Sequence, residues 1–498
     1  MFEQRKKAMI KAIDDLLKWA GIEKTDEEAN EETGSSKIEH FVVICMENRS
    51  FDSLLGWWAK DKAGIDGIPA GFSNTDSATG KLYPARPNAT FIQTFDAGHE
   101  LDDTTCQLYG FDEATALGHV SSVAASGNGD RYTDKSTKLN GFVDHAIFTI
   151  KNNRNGNDNT ITDVETAAET VMSSFDPANI PVTIALAEEF ALFDAWHAGI
   201  PGPTFPNRVF LASATSNGMH INNNEEFALG LPQKSVFQMF HEKGLSFKNY
   251  YGQAPTGLIF DDFRKIIAKD ALELNPFKHT GDMTEFKEDC AKGTLPTFSW
   301  IDPIFVSAPG FIANDNHPPH DVARGEALIK EIYEAIRASP QWSKTALLLT
   351  YDEHGGFADH VRPPVNVPIP DAASAANPHF HFDRLGLRVP AILISPYVKR
   401  GLVIHDPIRK APAEFDEFHP SKYDHSSLCH TMNDMFDLGA NLNDRAKWSG
   451  SFANCFSGKF RADCPITLPD APPITEVDEK YDEHSEWTPV FDFLKHLF

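Results

Sequence analysis

No stretch of this sequence offers the roughly 18 consecutive apolar residues that a membrane-crossing helix needs. Cysteine is scarce. The six thiols (Cys45, Cys106, Cys290, Cys429, Cys455 and Cys464) are scattered without a CxxC pair, which argues against structural zinc and a dense disulfide scaffold. They fit a reducing compartment, although Cys455 and Cys464 could pair in a secreted chain. Positive charge is also short: 45 Lys and Arg stand against 71 Asp and Glu, and 45 − 71 = −26. A chain this acidic lacks the basic stripe that nucleic-acid backbones require. If it handles phosphate, a bound cation has to overcome its field. The first residues, MFEQRKKAMIKAIDDLLKWAG, have no unbroken apolar region, because Lys11, Asp14 and Asp15 interrupt it. That argues against a secretory signal and for a cytoplasmic protein. NRS at 48 and NAT at 88 match the glycosylation pattern but are too common to carry a location.

What is present is an ordinary globular composition, 41% hydrophobic and 23% charged over 498 residues, enough for one large domain rather than a disordered chain. Met9, Ile13, Leu16 and Ala20 recur at helical spacing before Gly21, with lysines between them. This predicts an amphipathic helix that either packs on the fold or lies on a lipid surface. An acidic linker follows, so residues 1–36 stand apart from a catalytic domain at 37–435 and a C-terminal extension at 436–498. Continuous apolar runs predict buried strands at 41–46 (FVVICM), 297–302 (TFSWID), 345–353 (TALLLTYDE) and 389–398 (VPAILISPYV). Helical patterns occupy 180–194 and 325–339. Strands of this kind alternating with helices predict an α/β fold, a mostly parallel central sheet with helices on both faces. Polar, glycine-containing stretches at 121–141 and 151–163 read as loops.

Sites in such folds sit where parallel strands end. Glu47 and Asn48 end the first strand, and Asp352 and Glu353 end another. Three carboxylates and an amide oxygen at one sheet edge suit a hard divalent cation, Ca²⁺, Mg²⁺ or Mn²⁺; the alternative is that each acid caps a helix or pairs with an arginine, Arg49 being the nearest. Thr204 stands two residues before Pro206, a residue favoured at a first helical position. Its hydroxyl is then either a helix cap or a nucleophile among unpaired backbone N–H groups. His317 and His320 flank two prolines, which excludes a helical zinc motif there and leaves His317 as a hydrogen-bond donor or general acid.

The ordered motifs ENRSFDSLLGW, DAGHE, GPTFPNR, HPPHDV, TYDEHGGFADHVRPP, RLGLRVPAILISPYV and YDHSS resemble the phosphoesterase family of bacterial phospholipases C and acid phosphatases, over roughly residues 38 to 435. LPQKSVFQMF, ASPQWSK and ADCPITL are similar to plant non-specific phospholipases C. The resemblance implies an alkaline-phosphatase-like fold and one divalent metal ion held at Glu47, Asn48, Asp352 and Glu353. It further implies Thr204 as the hydroxyl nucleophile and His99 and His317 as the groups that hold or protonate the phosphoryl group. His320, His354, His360 and His425 are supporting candidates. The implied reaction runs through a phosphothreonine and turns glycerophospholipids into diacylglycerol and a phosphorylated headgroup; a broad acid phosphatase acting on soluble phosphomonoesters is the alternative. Three carboxylates and one divalent ion leave such a centre near −1. The expected partners are a phospholipid or phosphomonoester substrate, with peripheral membrane contact through residues 1–20 and no nucleic acid.

Overall fold

The computed structural model describes residues 34–111, 138–152, 163–222, 227, 229–275 and 277–475. The expected N-terminal helix, and most of the polar stretches 121–141 and 151–163, lie outside them. Twelve strands are described: β1 His40–Met46, β2 Ser73–Thr75, β3 Leu82–Pro84, β4 Ala191–Phe193, β5 Trp196–His197, β6 Phe247–Tyr251, β7 Thr280–Asp282, β8 Phe298–Asp302, β9 Thr345–Tyr351, β10 Ala391–Ile394, β11 Leu402–Ile404 and β12 Tyr423–Asp424. Eight of them form one sheet in the order β11, β4, β10, β9, β1, β8, β6, β7.

The near-continuous apolar runs fall in the middle, as burial on both faces demands. β1 lies between β9 and β8 and is parallel to both, with Ile44 level with Leu349 and Ile301. β10 runs antiparallel to β9 and β4, so the sheet is mostly rather than wholly parallel. Along β6, Phe247 meets the ring of Phe237 at 6.0 Å, whereas Tyr250 meets Phe286 at 5.2 Å. Residues three apart on a strand point to opposite faces. The helices Val236–Lys243 and Met283–Lys292 therefore cover opposite faces of the sheet. The first packs beside Thr204–Ser213 and Ser426–Phe436, the second beside Val322–Ala338 and so Pro181–Glu189. The main apolar cluster runs through both layers and takes in Phe452, Cys464 and Leu468 from beyond residue 436.

The helical reading of 180–194 needs correction. The helix stops at Glu189, Phe190 is extended, and Ala191–Phe193 becomes β4. Three apolar residues fit either state; pairing with both β10 and β11 decides it.

The helix Pro181–Glu189 opens with proline and has no side-chain cap of its own. Its cap comes from far along the chain: Glu326, buried in the helix Val322–Ala338, accepts from the Val182 N–H at 2.7 Å and the Thr183 N–H at 3.2 Å. Burial pushes the Glu326 carboxyl up to about 7 against those hydrogen bonds. A folded-state value above the ordinary one means that the native state holds the proton more tightly. This contribution to stability is complete below about pH 4.5 and is lost as pH rises through about 7. Glu326→Ala should cost about 2–3 kcal/mol by orphaning buried donors. Glu326→Gln, which keeps an accepting oxygen, should cost less and flatten the pH dependence between those limits; denaturant titrations across pH test both.

Candidate active site

β1 and β9 end in register, Met46 opposite Tyr351, so Glu47–Asn48 and Asp352–Glu353 leave the sheet side by side. All four are buried. The Asp352 carboxylate accepts the Asn48 N–H at 3.1 Å and the Glu353 N–H at 2.8 Å, and Glu353 accepts the Gly355 N–H at 2.7 Å. Asn48 takes a left-handed conformation (φ 57°), which asparagine tolerates better than most residues. Gly355 is also left-handed, and a Cβ there would stand 2.4 Å from the Asn48 carbonyl oxygen. Glycine lets the two acid-bearing turns pack backbone against backbone.

The partner of Glu47 is an arginine, though not Arg49. The Arg49 guanidinium turns away to the Asn316 carbonyl at 2.8 Å and to Gln93, against the Phe357 ring. Arg208, from the middle of the helix Thr204–Ser213, reaches across instead. Its Nη2 lies 3.2 Å from Glu47 and its Nε 3.1 Å from Asp352. It also donates to the Cys45 and Met46 carbonyls at 3.1 Å each, with its plane 4.6 Å from the Phe305 ring centre. Burial raises Asp352 well above the usual carboxylate range, Arg208 opposing and Glu353 adding to the rise. Burial also works to raise Glu353, but His99 and His354 outweigh it and hold that group low.

Thr204 is the first residue of its helix; the cap position belongs to Pro203. The helix therefore begins two residues earlier than Pro206 suggests, and the Thr204 hydroxyl makes no cap. Its Oγ1 is buried without a hydrogen-bond partner. The loop leading into it is braced by Asn207, whose amide donates to the carbonyls of Ile200, Gly202 and Pro203 at 2.8–3.2 Å.

The histidines divide into two places. His99 and His317 stand edge to face, 6.2 Å between ring centres, with His320 5.9 Å beyond His317. His99 Nδ1 lies 2.8 Å from the Ala97 carbonyl and His317 Nδ1 against that of Pro318. A carbonyl only accepts, so Nδ1 carries the proton in both, and His317 Nε2 is left buried without a partner. His320 binds Asp315 at 2.6 Å. His354 bridges Glu353 and Gln107. His425 donates from Nε2 to the Asp352 carbonyl and accepts the Trp196 indole N–H at 3.2 Å, which requires the neutral ring; burial lowers it to about 4.

His360 belongs elsewhere. With Asp52 and Asp359 it places ligand-type atoms within 4.8 Å of one another, but the Arg388 guanidinium holds both acids at 3.0 Å. Burial works to lower His360, yet bonds to Asp52 and Asp66 raise it to about 9. Resident positive charges satisfy that group. At the strand ends, by contrast, Asn48 Oδ1 and Glu353 Oε1 are buried oxygens without partners, as is Thr204 Oγ1 at the start of its helix. With the Glu47 and Asp352 carboxylates these are hard oxygens of the kind a divalent cation prefers, although among the described residues only Asp52, Asp359 and His360 bring three ligand-type atoms within 4.8 Å of one another.

The sequence reading missed Arg208, Asp315 and Gln107. Arg208 lies inside the GPTFPNR motif, four residues after Thr204 and so on the same side of the helix; that spacing was the available signal. Gln107 meets His354 only through the tertiary fold, whereas Asp315 lies five residues before His320 in the same loop.

The model of the Phosphoesterase family matches residues 38–439. Non-specific phospholipase C6 of Arabidopsis thaliana is 38% identical over 453 residues, 90% of this chain and 78% of its own. Non-specific phospholipase C1 of the same plant is 37% identical across 87% of this chain and 74% of its own, and phospholipase C B of Mycobacterium tuberculosis is 27% identical across 74% and 70%. A solved protein of the alkaline phosphatase superfamily from Vibrio parahaemolyticus aligns over 54% of this chain and 63% of its own at 13% identity and a TM-score of 0.32, so the fold rests on the sheet itself. A family match spanning the strand ends, the helix of Thr204 and the histidine loops leads to one conclusion: this chain belongs to the phosphoesterase family.

Proposed function

We propose that the chain is a metal-dependent phospholipase C that converts glycerophospholipids to diacylglycerol and a phosphorylated headgroup, with Thr204 as nucleophile. The observation that carries this reading is the Thr204 hydroxyl, buried and without a partner at the first position of its helix, one turn before the arginine that binds Glu47 and Asp352. A hydroxyl that neither caps nor bonds costs stability, and at the positive end of a helix it is set to stabilise an anion.

Glu47, Asn48, Asp352 and Glu353 would hold one divalent ion, which when bound supplies charge for the phosphoryl oxygens and favours the Thr204 alkoxide. The Thr204 oxygen forms its bond to phosphorus as the bond from phosphorus to the glycerol oxygen breaks, its own proton passing to water. His317, taking up a second proton at Nε2, would give it to the departing alkoxide, and His99 stands edge to face with that ring. Water then attacks phosphorus, returns a proton to His317 and releases the headgroup phosphate, while Thr204 regains its proton. The same centre would serve soluble monoesters; the plant relatives' names favour the lipid.

Residues 1–20 would bring the enzyme to its substrate, Met9, Ile13, Leu16 and Trp19 meeting the lipid beside Lys6, Lys7, Lys11 and Lys18. Among the described residues no helix is long and apolar enough to cross a membrane. No disulfide joins the six buried cysteines, which supports a reducing compartment.

Three measurements test the reading. Thr204→Ala should lose at least about a thousandfold in kcat and Thr204→Ser retain part of it; a loss of only a few-fold would mean that water attacks directly. Exhaustive chelation should abolish turnover and a divalent ion restore it. Phosphatidylcholine should yield diacylglycerol and phosphocholine; phosphatidic acid and choline would reverse the bond assignment, and far faster turnover of p-nitrophenyl phosphate than of any lipid would make the enzyme a phosphatase.

A further inference from the structure

We propose that Arg208 is a positioning residue of the reaction: it fixes the nucleophile's helix to the two carboxylate-bearing strand ends and sets the charge of the centre at which phosphate arrives. The inference rests on the assignment of Thr204 as nucleophile and goes beyond it.

The geometry is specific to a guanidinium. One planar group contacts Glu47 at 3.2 Å, Asp352 at 3.1 Å and the carbonyls of Cys45 and Met46 at 3.1 Å each. Two of these partners belong to β1 itself, Glu47 follows it, and Asp352 follows β9. The group is fully buried, and the Phe305 ring lies 4.6 Å from it. A lysine ammonium has the charge but no rigid fork with which to reach four acceptors in two directions. Thr204 and Arg208 share one helix turn, so a shift of the guanidinium carries the hydroxyl with it.

Charge gives the second role. Glu47, Asp352 and Glu353 would sum to −3 if all were ionised. A divalent ion alone leaves −1, as the sequence reading has it, and Arg208 brings the total to zero. A neutral centre admits a phosphate anion that a negative one repels. Arg208 would thereby act on phosphate binding as well as on placement, and the two effects separate experimentally because Lys keeps the charge and loses the fork, whereas Gln loses both.

The test uses the full chain, stripped of metal and reloaded with Mn²⁺, with inorganic phosphate as the probe in calorimetry. Arg208→Lys should lower kcat by about a hundredfold, the scale of a small misplacement of reacting groups, while KM and phosphate affinity stay within about threefold. Arg208→Gln should show the same loss in kcat and in addition bind phosphate at least about tenfold more weakly, with Mn²⁺ affinity undiminished. Removing a buried cation from two carboxylates can unfold a protein, so Phe305→Leu, which keeps the charge and removes the ring beside it, provides a second arm; it should lower kcat without weakening phosphate binding. Folded Arg208→Lys with wild-type kcat, or folded Arg208→Gln with wild-type phosphate affinity, would overturn the proposal. If both arginine variants fail to fold, an unchanged kcat in Phe305→Leu would do so. Thr204→Ala is the separate control: wild-type kcat in that variant would defeat the nucleophile assignment and leave the phosphate measurement standing.

Discussion

Like charges that cannot escape into water govern this structure. Three carboxylates emerge together because β1 and β9 are parallel neighbours in register, and a sheet covered on both faces gives them nowhere to go. Mutual repulsion in a medium of low polarity would force them to take up protons or move apart unless cations stand among them. Arg208 meets that need for Glu47 and Asp352, and backbone N–H groups meet part of it for Asp352 and Glu353. The glycine at 355, the left-handed Asn48 and the neutral His425 all follow from holding these acids in one arrangement.

A second buried arginine shows what a closed version of the same solution looks like. Arg388 holds Asp359 through two nitrogens, reaches Asp52 with one of them, and also donates to the carbonyls of Asp66 and Asp194. His360 takes the remaining Asp52 oxygen. That group stitches the segment after β1 to the entry of β10. The strand-end site differs because it keeps oxygens without partners. A buried polar atom without a partner calls for an explanation, and at the strand ends Asn48 and Glu353 supply two of them beside the carboxylates that Arg208 binds.

The strands expected at 41–46, 297–302 and 345–353 form as His40–Met46, Phe298–Asp302 and Thr345–Tyr351, because burial on two faces leaves a pattern that local context rarely imitates, and the polar residues at their ends marked the candidate site. The first position of the helix at Thr204 was misplaced by two residues, since Pro206 is equally at home in the first turn and the boundary is set by backbone geometry. β4 was hidden inside a helical pattern because a three-residue strand carries too little signal to outvote its neighbours. For Glu47 the sequence suggested a divalent cation, with Arg49 as the rival partner. Residues two apart on an extended chain share a side, but the left-handed turn at Asn48 ends the extended run, Arg49 goes to the Asn316 carbonyl, and the arginine that meets Glu47 comes from the helix Thr204–Ser213. The remote cap supplied by Glu326 had no local signature at all.

Among the described residues the sheet ends at both sides in strands of only three residues, β11 Leu402–Ile404 and β7 Thr280–Asp282. A wide sheet of central strands this apolar is a template for its own kind whenever a long edge is exposed. Here each margin offers a stranger no more than about 10 Å of extended backbone, and Asp282 carries charge at one of them. The sheet can therefore be eight strands wide and still resist growing across molecules, so the chain keeps a large apolar interior and its buried acidic strand ends without inviting aggregation.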